Sequence, residues 1–260
     1  MINNSNNDGR QLLLTANHCV FTDLSNSIAG YNYQRSGCDT GQISGPQTAH
    51  GMKLLAQWDQ SDFAIFEVQE KIPSTYNVYL SGWDARILAA SNVAGIHHPS
   101  GDIKKISLFN GQLSLNSWSE SPMQYHWVIS NWSKGVTEPG SSGSPLFNAQ
   151  GQIIGQLHGG ASACNNLSGS DLYGGFAFSF DAADSPSQQL KPILAPGASI
   201  RQLNGRNLSA PGTISTSVPP ASTPVATVTV TATKTVTSSC PNYVCVPRAL
   251  MDRVIEELSQ

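Results

Sequence analysis

The sequence predicts an all-β chain, and three observations lead there. Apolar or alternating runs of strand length recur through the first two hundred residues: QLLLTA, FAIFEV, YHWVISNW, GQIIGQLH and GGFAFSF. Clusters of Gly, Pro, Asn and Ser separate them, as turns do. No long amphipathic helix pattern interrupts the series, and many short strands at this spacing make a sandwich or a barrel.

Composition agrees with that class and narrows the function. Of 260 residues only 12% are charged, and 23 are Gly. This suits an extracellular all-β domain better than a helical cytosolic one. The net charge of -3 provides no cluster of Lys and Arg for nucleic-acid phosphates. No apolar run reaches the ~20 residues of a membrane helix. Met1 to Arg10 is polar and has no apolar core of a signal peptide. There are five cysteines, an odd number, with no Cys-x-x-Cys pair to suggest a zinc ribbon.

The chain divides into three segments. Residues 1–208 hold the strands. Residues 209–239 are Ser, Thr, Pro, Ala and Val, and VATVTVTATKTVT reads as an extended linker or stalk, or as one lone strand. Residues 240–260 hold Cys240 and Cys245, which pair with each other or between chains. In the same segment Leu250, Met251, Val254, Ile255 and Leu258 lie at helical spacing after Pro247. That short amphipathic helix docks on the body or self-associates; the chain is otherwise expected to be a monomer.

Three local patterns carry chemistry. His18 follows the first strand in Thr-Ala-Asn-His-Cys. Asp62 precedes Phe-Ala-Ile-Phe. Ser142 lies in Glu-Pro-Gly-Ser-Ser-Gly-Ser-Pro. Each alone has a plain structural explanation: a surface His, a turn Asp, a flexible loop. Together, in the order His, Asp, Ser, they follow the chain order of the chymotrypsin fold, which has two antiparallel β-barrels. A serine hydroxyl needs a base to take its proton, an imidazole can do so near neutral pH, and a carboxylate fixes the imidazole tautomer. The glycines beside the serine let the Gly140 and Ser142 N–H groups converge on an oxyanion. Ser141 and Ser144 are rival nucleophiles, and Gly-x-Ser-Gly-x-Pro selects Ser142.

At this point the sequence resembles the bacterial lysyl endopeptidases, secreted serine peptidases of chymotrypsin fold. GVTEPGSSGSP, GQLHGG, SDLYG, SGWDA, IHHP and KKIS carry the resemblance, over roughly residues 12–180. It implies cleavage after Lys in protein or peptide substrates, without a cofactor. It also implies that Asp171 in Ser-Asp-Leu-Tyr-Gly is the acid of the specificity pocket. His158 and Trp118 would be an aromatic pair packed on the catalytic imidazole. The position six residues before Ser142, where trypsin-like enzymes keep their pocket acid, is Val136. Cys19, Cys38 and Cys164 match half-cystines that in the family pair upstream of the catalytic His, yet no Cys precedes His18 here. The expectation is a chain truncated at its N-terminus, its first strands, cysteine partners and signal peptide lost together.

Other candidates read as structure. His97-His98-Pro99 lacks the further ligands of a metal site and is expected to be a structural loop; no metal is expected. His50 and His126 read as surface or strand residues, and Trp58, Trp83, Trp127 and Trp132 as core. The competing functional readings are an inactive protease-like binding module, a truncated relic, and a stalked surface protein.

Overall fold

A computed structural model describes residues 1–20, 24–36, 42, 43, 45 and 47–208. The linker, the tail helix, Cys38, Cys240 and Cys245 lie outside the described residues. The first lobe holds β1 (Leu12–Ala16), β2 (Ile28–Tyr31), β3 (Gln47–His50), β4 (Met52–Trp58) and β5 (Phe63–Val68). β5 pairs antiparallel with β1 on one side and β4 on the other, while β2 and β3 form a separate ribbon. FAIFEV forms the middle strand because both of its faces are covered: Phe63 through Phe66 are all buried.

After the short β6 (Tyr79–Leu80), the second lobe is one curled, mostly antiparallel sheet. Its elements are β7 (Trp83–Asp84), β8 (Ser91–His97), β9 (Lys105–Gln112), β10 (Ser114–Asn116), β11 (His126–Ile129), β12 (Pro145–Phe147), β13 (Ile153–Gly160) and β14 (Asp171–Gly175). The order is β10-β11-β14-β13-β12-β8-β9, with β7 on the side of β13. A bridge between Leu108 and Lys134 ties the β9 edge back to the chain leaving β11, so the sheet curls on itself. Val93, Phe109, Trp127, Ile129, Trp132, Leu146, Leu157 and Tyr173 fill the inside.

The chain then runs through α1 (Phe176–Asp181), α2 (Lys191–Leu194), β15 (Gln202–Leu203) and β16 (Arg206–Asn207). β15 pairs with β7 and β16 with β6. The segment GGFAFSF corrects a sequence expectation: the strand ends at Gly175 and FAFSFD is helical. Alternation of Phe with small residues reads as period two, but Phe176 and Phe180 are four apart and both fully buried. They pack on Trp83, with centroids 5.8 and 5.2 Å away, in the core shared with Leu12, Phe63 and Ile65 of the first lobe. Burying each such side chain is worth roughly 1.5–3 kcal/mol. That exceeds the few tenths of a kcal/mol by which a Phe disfavours helix, so packing decides the element.

Candidate active site

Strand register brings the first two candidates together. Ala16 lies opposite Phe63 in the β1–β5 ladder, so the residues just beyond each strand emerge at the same end. Asn17 extends the ladder by donating its N–H to the Asp62 carbonyl at 2.8 Å. His18 sits in the 3-10 turn Asn17–Cys19. Asp62 closes the β4–β5 hairpin with φ +55, a left-handed backbone that Asp tolerates better than most residues. The hairpin is pinned from behind, where Gln156 donates to the Ser61 carbonyl at 2.7 Å.

The Asp62 carboxylate is buried and points at His18. Oδ1 accepts the His18 backbone N–H at 2.9 Å, and Oδ2 bonds the ring Nδ1 at 2.8 Å. A carboxylate at Nδ1 calls for the proton there and leaves Nε2 as the basic nitrogen. The His18 side chain is 41% exposed and the Asp62 side chain only 3%. Burial pushes the Asp62 carboxyl up, opposed by its bonds to the His18 amide and ring.

Ser142 arrives from the second lobe on a tight turn leading into β12. Ser141 N–H donates to Glu138 O, Ser144 N–H to Ser141 O, and Gly143 N–H to Leu157 O at 2.8 Å. Gly143 has φ +76, and a Cβ there would overlap Thr15 Oγ1 and the Ala16 amide. Glycine is therefore what lets the serine turn close onto the end of β1, next to His18. The Ser142 hydroxyl lies near the thiol of Cys19, the residue after His18. Burial pushes that free thiol up.

The turn also presents two backbone donors. The Pro139 carbonyl accepts Ser100 N–H at 2.7 Å. In a trans peptide the N–H points opposite to the C=O, so the Gly140 N–H is aimed away from Ser100. Gly140 has φ +92, reached readily only by glycine. Among the described residues no acceptor takes the N–H of Gly140 or Ser142.

A second histidine faces the same carboxylate. β13 carries a bulge between Leu157 and Gly159, leaving His158 unpaired and re-aimed toward Asp62. His158 Nε2 is 3.7 Å from Asp62 Oδ2, and its ring stacks on His18 with centroids 5.6 Å apart. Trp118 covers the other face of His158 at 3.6 Å and 16°. His126 corrects the surface alternative: it is buried on β11, and its Nε2 bonds His158 Nδ1 at 2.9 Å. Burial pushes His158 down to about 3, helped by His126 and His18, and pushes His126 down to about 4. His18, Asp62 and His158 also offer three ligand atoms within 4.8 Å of one another, although His18 and Asp62 already use theirs on each other.

Asp171 opens β14 and is fully buried. Its Oδ2 accepts Trp132 Nε1–H at 2.6 Å and Thr137 Oγ1–H at 2.7 Å, and Oδ1 accepts Ser162 N–H at 3.4 Å. Burial pushes the carboxyl up and these three donors pull it down. Among the described residues no cation pairs with it. Val136 is fully buried on the approach to the serine turn.

The remaining candidates fall elsewhere. Ser141 is buried and bonds His97. His97 ends β8 and is buried rather than part of a loop. The expectation that Cys164 had lost its partner is corrected, because Cys164 is disulfide-bonded, to a cysteine outside the described residues. His126 and His97 went unread as site neighbours because a single His in a strand carries no local signal.

The protein family of the lysyl endopeptidase C-terminal domain matches residues 1–174. A lysyl endopeptidase of Pseudomonas aeruginosa is 30% identical over 177 residues, 63% of this chain and 37% of that protein. The chain thus spans little more than a third of that relative's length. Among solved structures, a thermostable serine protease AL20 from an extremophilic microorganism matches with TM-score 0.46 and 14% identity, over 67% of this chain and 82% of that one. The Rv3671c protease from M. tuberculosis, in its active form, matches with TM-score 0.39 and 14% identity, over 64% of each chain. The family match covers most of the chain, which therefore belongs to the lysyl endopeptidase family and carries its C-terminal domain.

Proposed function

We propose that the chain is a serine endopeptidase domain that cuts on the carboxyl side of Lys through an acyl-enzyme. The observation that carries this is the His18–Asp62 pair, bonded at 2.8 Å, beside the Gly140–Gly143 turn that Gly143 seats on the end of β1. Ser142 Oγ attacks the scissile carbonyl while His18 Nε2 takes its proton. Asp62 holds the imidazole in that tautomer and stabilises the imidazolium. The Gly140 and Ser142 N–H groups receive the oxyanion. His18 then protonates the leaving amine, and water releases the acyl group by the same route in reverse. No step needs a cofactor. His158, sandwiched between Trp118 and His18, keeps the ring of His18 in place.

Lys preference rests on Asp171. A buried carboxylate without a cation is costly, and a substrate ammonium is the group that relieves it. The disulfide at Cys164 supports an oxidising, extracytoplasmic setting. Residues 209–239 serve as a spacer between the peptidase domain, 1–208, and the tail, 240–260.

Covalent labelling tests the nucleophile. A fluorophosphonate should modify the folded protein once, at Ser142 by peptide mass, and His18→Ala should abolish labelling. No modification of folded protein, or modification at Ser141 or Ser144, contradicts the assignment and leaves a protease-like binding domain.

A further inference from the structure

The serine turn is held by a buried polar chain that the steps above do not use. His97 is 1% exposed, and its ring nitrogens face two serine hydroxyls that are equally buried. Nδ1 is 2.9 Å from Ser141 Oγ and Nε2 is 3.0 Å from Ser107 Oγ. Ser107 lies on β9 and donates its hydroxyl to the Val136 carbonyl at 2.8 Å. Ser141 Oγ is also approached by the Glu138 N–H at 3.3 Å.

These bonds fix the direction of every proton. Ser107 spends its proton on Val136 O, so it accepts from His97 Nε2–H. Nδ1 of the neutral ring is then an acceptor and takes the Ser141 hydroxyl proton. Ser141 Oγ keeps its lone pairs for Glu138 N–H. Donor and acceptor roles are consistent at every link, the condition under which a buried polar network adds rigidity. Burial first, then His98 and Lys105, pushes His97 down to about 3, which keeps the ring neutral and both roles fixed near neutral pH.

The chain grips the turn at chosen points. Ser141 lies between Gly140 and Ser142, whose amides the proposed reaction needs. Ser100, three residues beyond His97, holds the neighbouring Pro139 carbonyl by its backbone N–H. One short segment, 97–100, therefore fixes the turn through a side chain and through the main chain. At the far end Gly135, with φ +79, leaves room for Ser107 Oγ where a Cβ would clash.

We propose that His97 is a positioning residue for the oxyanion-binding turn, holding Ser141 so that the Gly140 and Ser142 N–H groups converge. The inference rests on the peptidase reading above. Losing one oxyanion donor costs about 100- to 1,000-fold in kcat, and an indirect displacement should cost less. The experiment compares the parent with His97→Phe, His97→Asn and Ser141→Ala, reading kcat and KM on a peptidyl-Lys amide and the affinity for a peptidyl-Lys aldehyde. The aldehyde forms a hemiacetal with Ser142 and so reports oxyanion binding.

In His97→Phe, kcat should fall about 10- to 100-fold with KM within about two-fold, and aldehyde affinity should fall in parallel. Asn retains an acceptor near the Nδ1 position, so His97→Asn should recover at least about a third of the lost factor on a logarithmic scale. Should His97→Phe fail to fold, the smaller change Ser141→Ala removes the same link. It should lower kcat in the same way, and adding His97→Asn should then cost nothing more. Parent turnover that Ser142→Ala abolishes, with kcat unchanged in folded His97→Phe or Ser141→Ala, overturns the inference alone. A rise in KM equal to the fall in kcat also overturns it, because general loosening would explain that. Absence of Ser142-dependent turnover in the parent overturns the peptidase reading and this inference with it.

Discussion

His158 Nε2 lies 3.7 Å from the same Asp62 oxygen that His18 Nδ1 bonds at 2.8 Å, so two imidazoles flank one buried carboxylate. Only the shorter contact is a hydrogen bond. His158 is sequestered under Trp118 and bonded to His126, whereas His18 is open to solvent and to the serine turn. Environment therefore separates two chemically identical rings, one exposed and one sequestered.

Asp62→Asn should preserve the fold and lower kcat by about 10,000-fold, because an amide at Nδ1 favours the wrong imidazole tautomer. Steady-state kinetics on a Lys amide substrate check this. A loss under ten-fold would place the base elsewhere.

Asp171→Asn should remove Lys preference. The amide keeps the volume beside Trp132 and Thr137 but offers no negative charge. We expect kcat/KM for a Lys substrate to fall by at least about 100-fold, in line with the cost of an unpaired buried ammonium. Hydrolysis of a substrate with norleucine in place of Lys should change by less than about three-fold. Equal losses on both substrates would mean that Asp171 supports the fold and not the pocket.

Gly143→Ala should destabilise the chain and stop turnover together. The left-handed backbone costs a non-glycine residue about 1–2 kcal/mol, and overlap with Thr15 and Ala16 adds to it. Thermal unfolding should show a lower Tm, and fluorophosphonate labelling should disappear even in the fraction that stays folded.

Acid should weaken the fold through its buried histidines. His158 is pushed down to about 3 and His126 to about 4, against an ordinary histidine value near ~6.5. Below ~6.5 the unfolded chain binds protons that the folded chain refuses, so stability is full above that pH and falls as pH drops toward the folded values. Each such proton contributes up to about 1.4 kcal/mol per pH unit. The carboxyls of Asp62 and Asp171, pushed up by burial, act in the opposite direction in their own window above ~3.8. The measurement is therefore a difference: urea unfolding at pH 7 and pH 5 for the parent and for His126→Asn. The variant should lose less stability on acidification than the parent, and an equal or greater loss contradicts the assignment.

Much of this site was legible from residue order and spacing. FAIFEV is β5 to the residue, and Phe63 opposite Ala16 brings His18 and Asp62 to one end of a ladder. Glycines around Ser142 announced a turn that only glycine can make. Long-range contacts were not legible: Ser141 and His97 are 44 positions apart, and His126 and His158 are 32 apart. A lone strand His gives no sign of which ring it will meet. FAFSFD misled because its alternation mimics a strand, and only Trp83 and the first-lobe core make it helical. Cys164 misled because the family resemblance fixed where its partner should be, and in this chain the partner lies elsewhere.

Digesting a peptide library with the parent chain and with Ser142→Ala, and sequencing the products, tests whether the chain is a Lys-specific serine peptidase. Under the proposed function the parent cleaves after Lys and the variant does not. Cleavage that survives Ser142→Ala, or a folded parent that cleaves nothing, would contradict it.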